Sequence, residues 1–181
     1  SYRKTSEKLT LLATIDPLTL SGNRRALDTK LADVLADQQR QASTMSLLLL
    51  DLDLFKKIND EHGHAAGDQI LVEAASLLKQ HTRALDAVYR YGGEEFIIVP
   101  LKADLAAARI IAEKLRTIIA NHKYIKDIAL TVSVGVAQYR AGETAESWIA
   151  RADAALYIAK ATGRNCVITE TEIGAETPHP A

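Results

Sequence analysis

Two short runs in this sequence carry more carboxylate than folding alone would place there. Asp51-Leu52-Asp53 ends an apolar stretch, and Glu94-Glu95 follows directly on Gly92-Gly93. With a strand's period of two, Asp51 and Asp53 leave the same face of the chain. Two like charges at the end of a buried strand repel each other unless a cation sits between them. Hard oxygen ligands of this kind suit Mg²⁺, which takes one or two protein carboxylates and completes its shell with water and phosphate. If the strand and the hairpin are neighbours, one of Glu94 and Glu95 joins Asp51 in a two-cation site. Such a site clamps the attacking and leaving oxygens of a phosphoryl displacement. Gly92 and Gly93 are expected to supply positive φ at the turn and to leave no side chain in a ligand's way.

Other charged residues have simpler readings. Arg83 and Asp86 form an i,i+3 pair of a common, weak kind. Lys160 and Arg164 fall at the end of a helical pattern, where the helix dipole favours a cation. His62 and His64 have no metal-ligand spacing with another His or Cys and read as structural.

The elements that must position these groups follow from hydrophobic pattern. Residues 1–14 read as a helix ending before Asp16-Pro17, and a second helix runs from about Asn23 to Gln39 with Leu27, Leu31, Val34 and Leu35 on one stripe. Met45–Leu52 is apolar almost throughout, as a central strand covered on both faces would be. A polar turn, Asn59–Gly67, leads into a helix with Ile70, Leu71, Ala74, Leu77 and Leu78 inward. The hairpin pairs Ala87–Tyr91 with Glu95–Val99. Ala103–Asn121 is amphipathic, with Ala108, Ile111, Leu115 and Ile118 inward. Thr131–Gln138 alternates like a half-buried strand. A helix over Thr144–Ala161 and a short strand over Asn165–Thr169 complete the pattern. Strands joined partly by helices and partly by a hairpin imply an α/β (α+β) fold with a mixed sheet and helices packed on it.

Composition narrows the class. The chain has 181 residues, net charge −1 and a single cysteine, Cys166. That length supports one domain with a real core. The charge gives no field that would draw it to nucleic acid or an anionic membrane, and neither is expected as a partner. One cysteine allows no internal disulfide and fits a reducing, cytoplasmic setting. The organisation expected is a linker helix at 1–14, a catalytic domain at 15–169 and a disordered acidic tail at 170–181.

Several runs together resemble the GGDEF-domain diguanylate cyclases. They are Asp51-Leu52-Asp53-Leu54-Phe55-Lys56-Lys57-Ile58-Asn59-Asp60, Gly63-His64-Ala65-Ala66-Gly67-Asp68, Gly92-Gly93-Glu94-Glu95-Phe96, Ala152-Asp153-Ala154-Ala155-Leu156-Tyr157 and Lys160-Ala161-Thr162-Gly163-Arg164-Asn165. The likeness spans about residues 14–168 in order. It implies a palm-like nucleotidyl-cyclase sheet, mainly antiparallel, with the GGEEF turn on a hairpin. It implies condensation of two GTP into cyclic di-GMP across a homodimer. Asp51, the Leu52 carbonyl and Glu94 resemble the ligands of two Mg²⁺ (or Mn²⁺), with Asp53 nearby and Glu95 in support. Asn59 and Asp68 resemble guanine readers, where their plain alternative is turn capping. Lys56, with backbone amides around Phe55, resembles a triphosphate cradle, and Lys160 and Arg164 would neutralise the terminal phosphates. Glu94 or Glu95 would accept the proton. Arg83 and Asp86 resemble an inhibitory product site, and an upstream sensory domain is implied outside this chain.

The early run Asp16-Pro17-Leu18-Thr19-Leu20-Ser21-Gly22-Asn23 departs from the family, which usually has glycine and leucine where this chain has Leu20 and Ser21. Gly22 is expected to supply the lost backbone freedom. Leu54 stands where an aromatic residue or histidine is common. The competing reading is a non-catalytic module that senses cyclic di-GMP through Arg83 and Asp86. A relaxed-specificity cyclase is opposed by Asp68, and a template-directed nucleotidyl transferase by the lack of a basic groove.

Overall fold

A computed structural model describes residues 2–173. Its sheet has five strands: β1 (Ser46–Leu52), β2 (Val88–Arg90), β3 (Glu95–Ile98), β4 (Val132–Gln138) and β5 (Val167–Thr169). Their order is β2-β3-β1-β4-β5. All neighbours are antiparallel except β4 and β5. The mixed, mainly antiparallel sheet expected from the sequence is therefore present, with β1 at its centre.

Among the described residues six helices accompany the sheet: α1 (Tyr2–Thr14), which contacts α2, then α2 (Arg24–Arg40), α3 (Phe55–His62), α4 (His64–Gln80), α5 (Leu105–Asn121) and α6 (Ala145–Ala161). Strand alternation divides the core in two. Leu48, Leu50 and Leu52 face Ile70, Leu71 and Ala74 of α4 and Ala108 and Leu115 of α5. Leu47 and Leu49 face Leu27 and Leu31 of α2 and Trp148 of α6. Asp51 follows the second set, so its carboxylate leaves the sheet on the α6 side.

Capping sets the helix starts. Asn23 Oδ1 accepts from Ala26 N, Asp104 Oδ1 from Ala107 N and Thr144 Oγ1 from Ser147 N, each satisfying a first-turn amide. No described helix is long and apolar enough to cross a membrane.

Three expectations are corrected. The polar stretch Asn59–Gly67 is a junction of two helices, with only Gly63 between them at φ 87. Its polar residues are the outer face of α3, which buries Phe55 and Ile58. β4 is buried through Val132–Ala137 and is not half-exposed. Its small residues are there so that α6 can close in: a Cβ on Gly135 would lie 2.1 Å from the Ala152 carbonyl oxygen. The inward stripe of α5 ends on Ile119, not Ile118, and also takes in Ala112.

Residues 170–172, assigned to the tail by composition, form a 3₁₀ turn with a capping box at Thr169. Glu170 pairs with Arg140 and Arg151, and Glu172 with Arg109. Residues 174–181 of the expected tail lie outside the described residues.

Candidate active site

β1 ends beside the hairpin that β2 and β3 form, and the register places Asp51 directly opposite Glu95. Cross-strand partners share a sheet face at close range, so two carboxylates meet on the α6 side. Asp51 is only 5% exposed. Its pKa is raised, by burial first; Lys160 opposes the rise, and the charges of Glu94 and Asp53 add to it. Glu95 is raised too, by burial and then by Asp51, with Asp153 and Glu94 adding and Lys160 opposing. Lys160 reaches from the last turn of α6 to donate to Asp51 Oδ2 at 2.7 Å. An ammonium thus stands against the carboxylate pair, in a place that favours positive charge.

Asp53 has a different task. Ser133 Oγ donates to its Oδ1 at 2.6 Å, while Thr131 Oγ1 (2.6 Å) and the Asn165 amide (3.0 Å) donate to Oδ2. Three of a carboxylate's roughly four acceptor positions are taken. Asp53 ties the end of β1 to β4 and to the loop after α6. Glu95 is thus the cross-strand partner of Asp51, and Asp53, held by three donors, adds its charge to the rise of Asp51. Among the described residues no group of three or more His, Cys, Asp or Glu side chains is disposed to hold a metal ion. A cation here would rest on one or two carboxylates with a carbonyl such as that of Leu52, and draw its other ligands from water or phosphate. That is the usual partition for Mg²⁺, so the donor set fits.

The turn itself is held from behind. Tyr91 N donates to the Glu95 carbonyl at 2.8 Å, and Leu52 N to the Glu94 carbonyl at 3.1 Å. Neither Gly92 nor Gly93 has positive φ, so the expectation of a left-handed turn is corrected. Their value is bareness. A Cβ on Gly93 would meet nothing within 4 Å, and one on Gly92 would touch Glu95 Oε2 at 3.2 Å. Arg90 donates through Nε and Nη2 to the Gly93 carbonyl and through Nη1 to both oxygens of Asp16. The guanidinium of Arg24 lies 4.3 Å from the Tyr91 ring centre.

Asn59 and Asp68 come from the two crossing helices. Gly67 lets them close: a Cβ there would sit 1.7 Å from Asn59 Oδ1. That buried amide oxygen has no protein partner, while Asp68 is exposed beside it in sequence on α4. Phe55 packs in the core, and Lys56 is exposed in the first turn of α3, where amides are left unbonded by the helix. Arg164 is exposed at φ 63 beyond α6, and no contact joins it to the carboxylates. At the far side, Arg83 Nε donates to Asp86 Oδ2 at 2.6 Å, and Arg83 Nη2 to the Leu101 carbonyl. Asp86 also accepts from Leu101 N.

Arg90, Asp16, Asp153 and the three donors to Asp53 escaped the sequence reading. A lone arginine in a three-residue strand and the Asp16-Pro17 turn were the available signals for the first two. Leu20, where the family has glycine, itself takes φ 57 and is 66% exposed. Gly22 has no such φ; it lies against Tyr89, whose ring a Cβ would meet at 2.5 Å.

With this geometry in place, comparison with known proteins gives one answer. Residues 13–166 match the family described as diguanylate cyclase, GGDEF domain, and the chain belongs to that family. It is 35% identical over 160 residues to diguanylate cyclase DgcS of Shewanella oneidensis, covering 88% of this chain and 54% of that protein. It is 44% identical over 128 residues to diguanylate cyclase A of Treponema denticola, covering 68% of this chain and 34% of that protein. The chain thus spans about a third to a half of these relatives. Among solved structures, it is similar to the coiled coil and GGDEF domain of DgcB from Caulobacter crescentus in complex with c-di-GMP. That match has a TM-score of 0.89 and 33% identity, over 93% of this chain and 91% of that one.

Proposed function

We propose that this chain is a diguanylate cyclase unit that joins two GTP molecules into cyclic di-GMP with release of two pyrophosphates. The observation that carries the reading is the buried Asp51 held in register against Glu95 beneath a bare Gly92-Gly93 tip. A fold gains nothing from such a pair, and a polyphosphate with its cations needs one.

Asn59 and Asp68 read guanine: an unpartnered amide oxygen and a carboxylate are acceptors for the N1–H and N2–H edge that adenine lacks. The open amides at the start of α3, with Lys56, cradle phosphate oxygens. Gly93 lets the triphosphate cross the hairpin without a side chain between. Asp51, Glu94 and the Leu52 carbonyl would hold two Mg²⁺ or Mn²⁺, with Asp53 keeping Asp51 in position. Those cations, when bound, lower the pKa of the attacking hydroxyl and offset charge on the phosphate. Lys160, which donates to Asp51 here, would reach the terminal phosphates with Arg164 when cations are bound.

Each 3′-oxygen forms a bond to the α-phosphorus of the other GTP as the bond to pyrophosphate breaks. The released proton passes to Glu94 or Glu95. One site holds one GTP, so two copies of the domain meet face to face. Arg83, already bonded to Asp86, binds the product's phosphate or guanine edge and slows the enzyme.

The test is incubation with GTP and Mg²⁺ and separation of the nucleotides, beside a Glu94→Ala/Glu95→Ala variant. Cyclic di-GMP from the wild type alone is the expected result. Binding of cyclic di-GMP without synthesis would establish the sensor instead.

A further inference from the structure

Beyond the end of α6, Gly163, Arg164 and Asn165 take φ of 116, 63 and 46 in succession. Left-handed backbone is routine for glycine, tolerated by asparagine and unfavourable for arginine. Such a run persists only where its surroundings hold it. Arg164 N donates to the Ala159 carbonyl at 3.0 Å and closes the helix end. Asn165 is held twice. Its amide donates to Asp53 Oδ2 at 3.0 Å, and its Oδ1 accepts from Arg116 Nη1 at 2.9 Å.

Arg116 comes from α5, whose apolar residues Ala108, Ala112 and Leu115 are buried in the core. Its side chain spans 49 residues of sequence to reach Asn165. Glu113, one turn earlier on α5, accepts from Arg116 Nε at 2.8 Å. A guanidinium is a rigid planar fork, so fixing Nε aims Nη1. The Arg116 side chain is mostly covered, and the fork does not swing freely in solvent. A surface ion pair that merely touches a loop would contribute little. Here the loop residue it grips has its amide on Asp53, and the residue before it is Arg164. One arginine on α5 thus bears on both the direction of Arg164 and a donor to the Asp53 carboxylate.

On the reading of Arg164 as a contact to the terminal phosphates of GTP, we propose that Arg116 is a positioning residue of the nucleotide site. Through Asn165 it holds the left-handed turn that aims Arg164, and it touches no part of the nucleotide itself. Glu113 fixes the arginine, the arginine fixes the asparagine, and the asparagine fixes the turn.

Two nucleotides separate this role from general support of the fold: 3′-deoxy-GTP, which lacks the attacking hydroxyl, and GMP, which lacks the terminal phosphates. Each is titrated with Mg²⁺ present and followed by protein NMR shifts. The proteins are the wild type, Arg116→Met, Asn165→Gly, Arg164→Ala and the Arg116→Met/Arg164→Ala double variant. Arg116→Met removes the fork. Asn165→Gly removes its acceptor, while glycine keeps the left-handed backbone and the amide to Asp53. Both should weaken 3′-deoxy-GTP by about tenfold and leave GMP within about twofold. The double variant should bind 3′-deoxy-GTP no more weakly than Arg164→Ala alone, since a residue acting through another adds nothing once that one is gone. Equal losses for the two nucleotides, losses that multiply in the double variant, or wild-type affinity in both Arg116→Met and Asn165→Gly would overturn the proposal. If Arg164→Ala itself bound 3′-deoxy-GTP as tightly as the wild type, the reading of Arg164 would fall, and the proposal with it.

Discussion

Asp51 and Glu95 have pKa values raised first by burial, with the charges of Glu94 and Asp53 adding at Asp51 and that of Asp51 adding at Glu95, and the sign of that shift has a consequence for stability. A carboxyl whose folded pKa lies above its unfolded value favours the fold only while protonated. Both groups therefore weaken the fold at neutral pH, and the penalty fades as pH falls through their folded values. Asp51→Asn should be more stable than the wild type at neutral pH, by about 1 kcal/mol, as is common when a functional charge is removed. It should at the same time lose turnover. Melting both proteins from neutral to acid pH checks this: the gap should close as pH falls. Gly93→Ala separates function from folding in another way. Its backbone is unstrained and its surroundings are open, so denaturation should show a change within ~0.5 kcal/mol. GTP turnover should fall all the same, because in the proposed site the methyl group would stand where the triphosphate crosses.

The hairpin is an element fixed from three sides: the β1 register, the Arg24–Tyr91 stack and the Asp16–Arg90–Gly93 chain. Burial alone would raise Asp16, but hydrogen bonds from Thr19 and the charge and hydrogen bonds of Arg90 outweigh it, and its pKa is lowered. A lowered carboxylate contributes stability above its unfolded pKa and loses it as pH falls through the folded value. Asp16→Asn should cost about 2 kcal/mol at neutral pH, as for hydrogen bonds to a charged group, and nothing at the acid end. Urea melts at the two pH values measure it. Amide exchange at Gly93 and Glu94 should quicken in the same variant.

At the scale of the molecule, the core strands were legible because apolar runs of the right length have few other uses. Met45–Leu52 and the hairpin fell within two residues of β1, β2 and β3. α3 was not legible, since eight residues with a polar outer face look like a turn until a neighbouring helix covers Phe55 and Ile58. The carboxylates stood out by type, yet their division of labour did not. Asp53 is claimed by Thr131, Ser133 and Asn165, partners 78 to 112 residues away, and only the closed sheet brings them together. Likewise Arg90 reaches Asp16 across 74 residues. Family resemblance supplied the roles of Asn59 and Asp68, and the structure added an unpartnered amide oxygen on Asn59.

The central claim is that GTP is condensed at this hairpin by two copies of the chain. The most direct measurement is the initial rate of cyclic di-GMP formation per molecule of protein, with GTP and Mg²⁺ saturating, over a wide range of protein concentration. The account predicts a specific activity that climbs with concentration and then levels off as pairs of domains saturate. A rate per molecule independent of concentration down to where no dimer survives would contradict the two-copy mechanism. Absence of the cyclic dinucleotide at every concentration would contradict the claim itself.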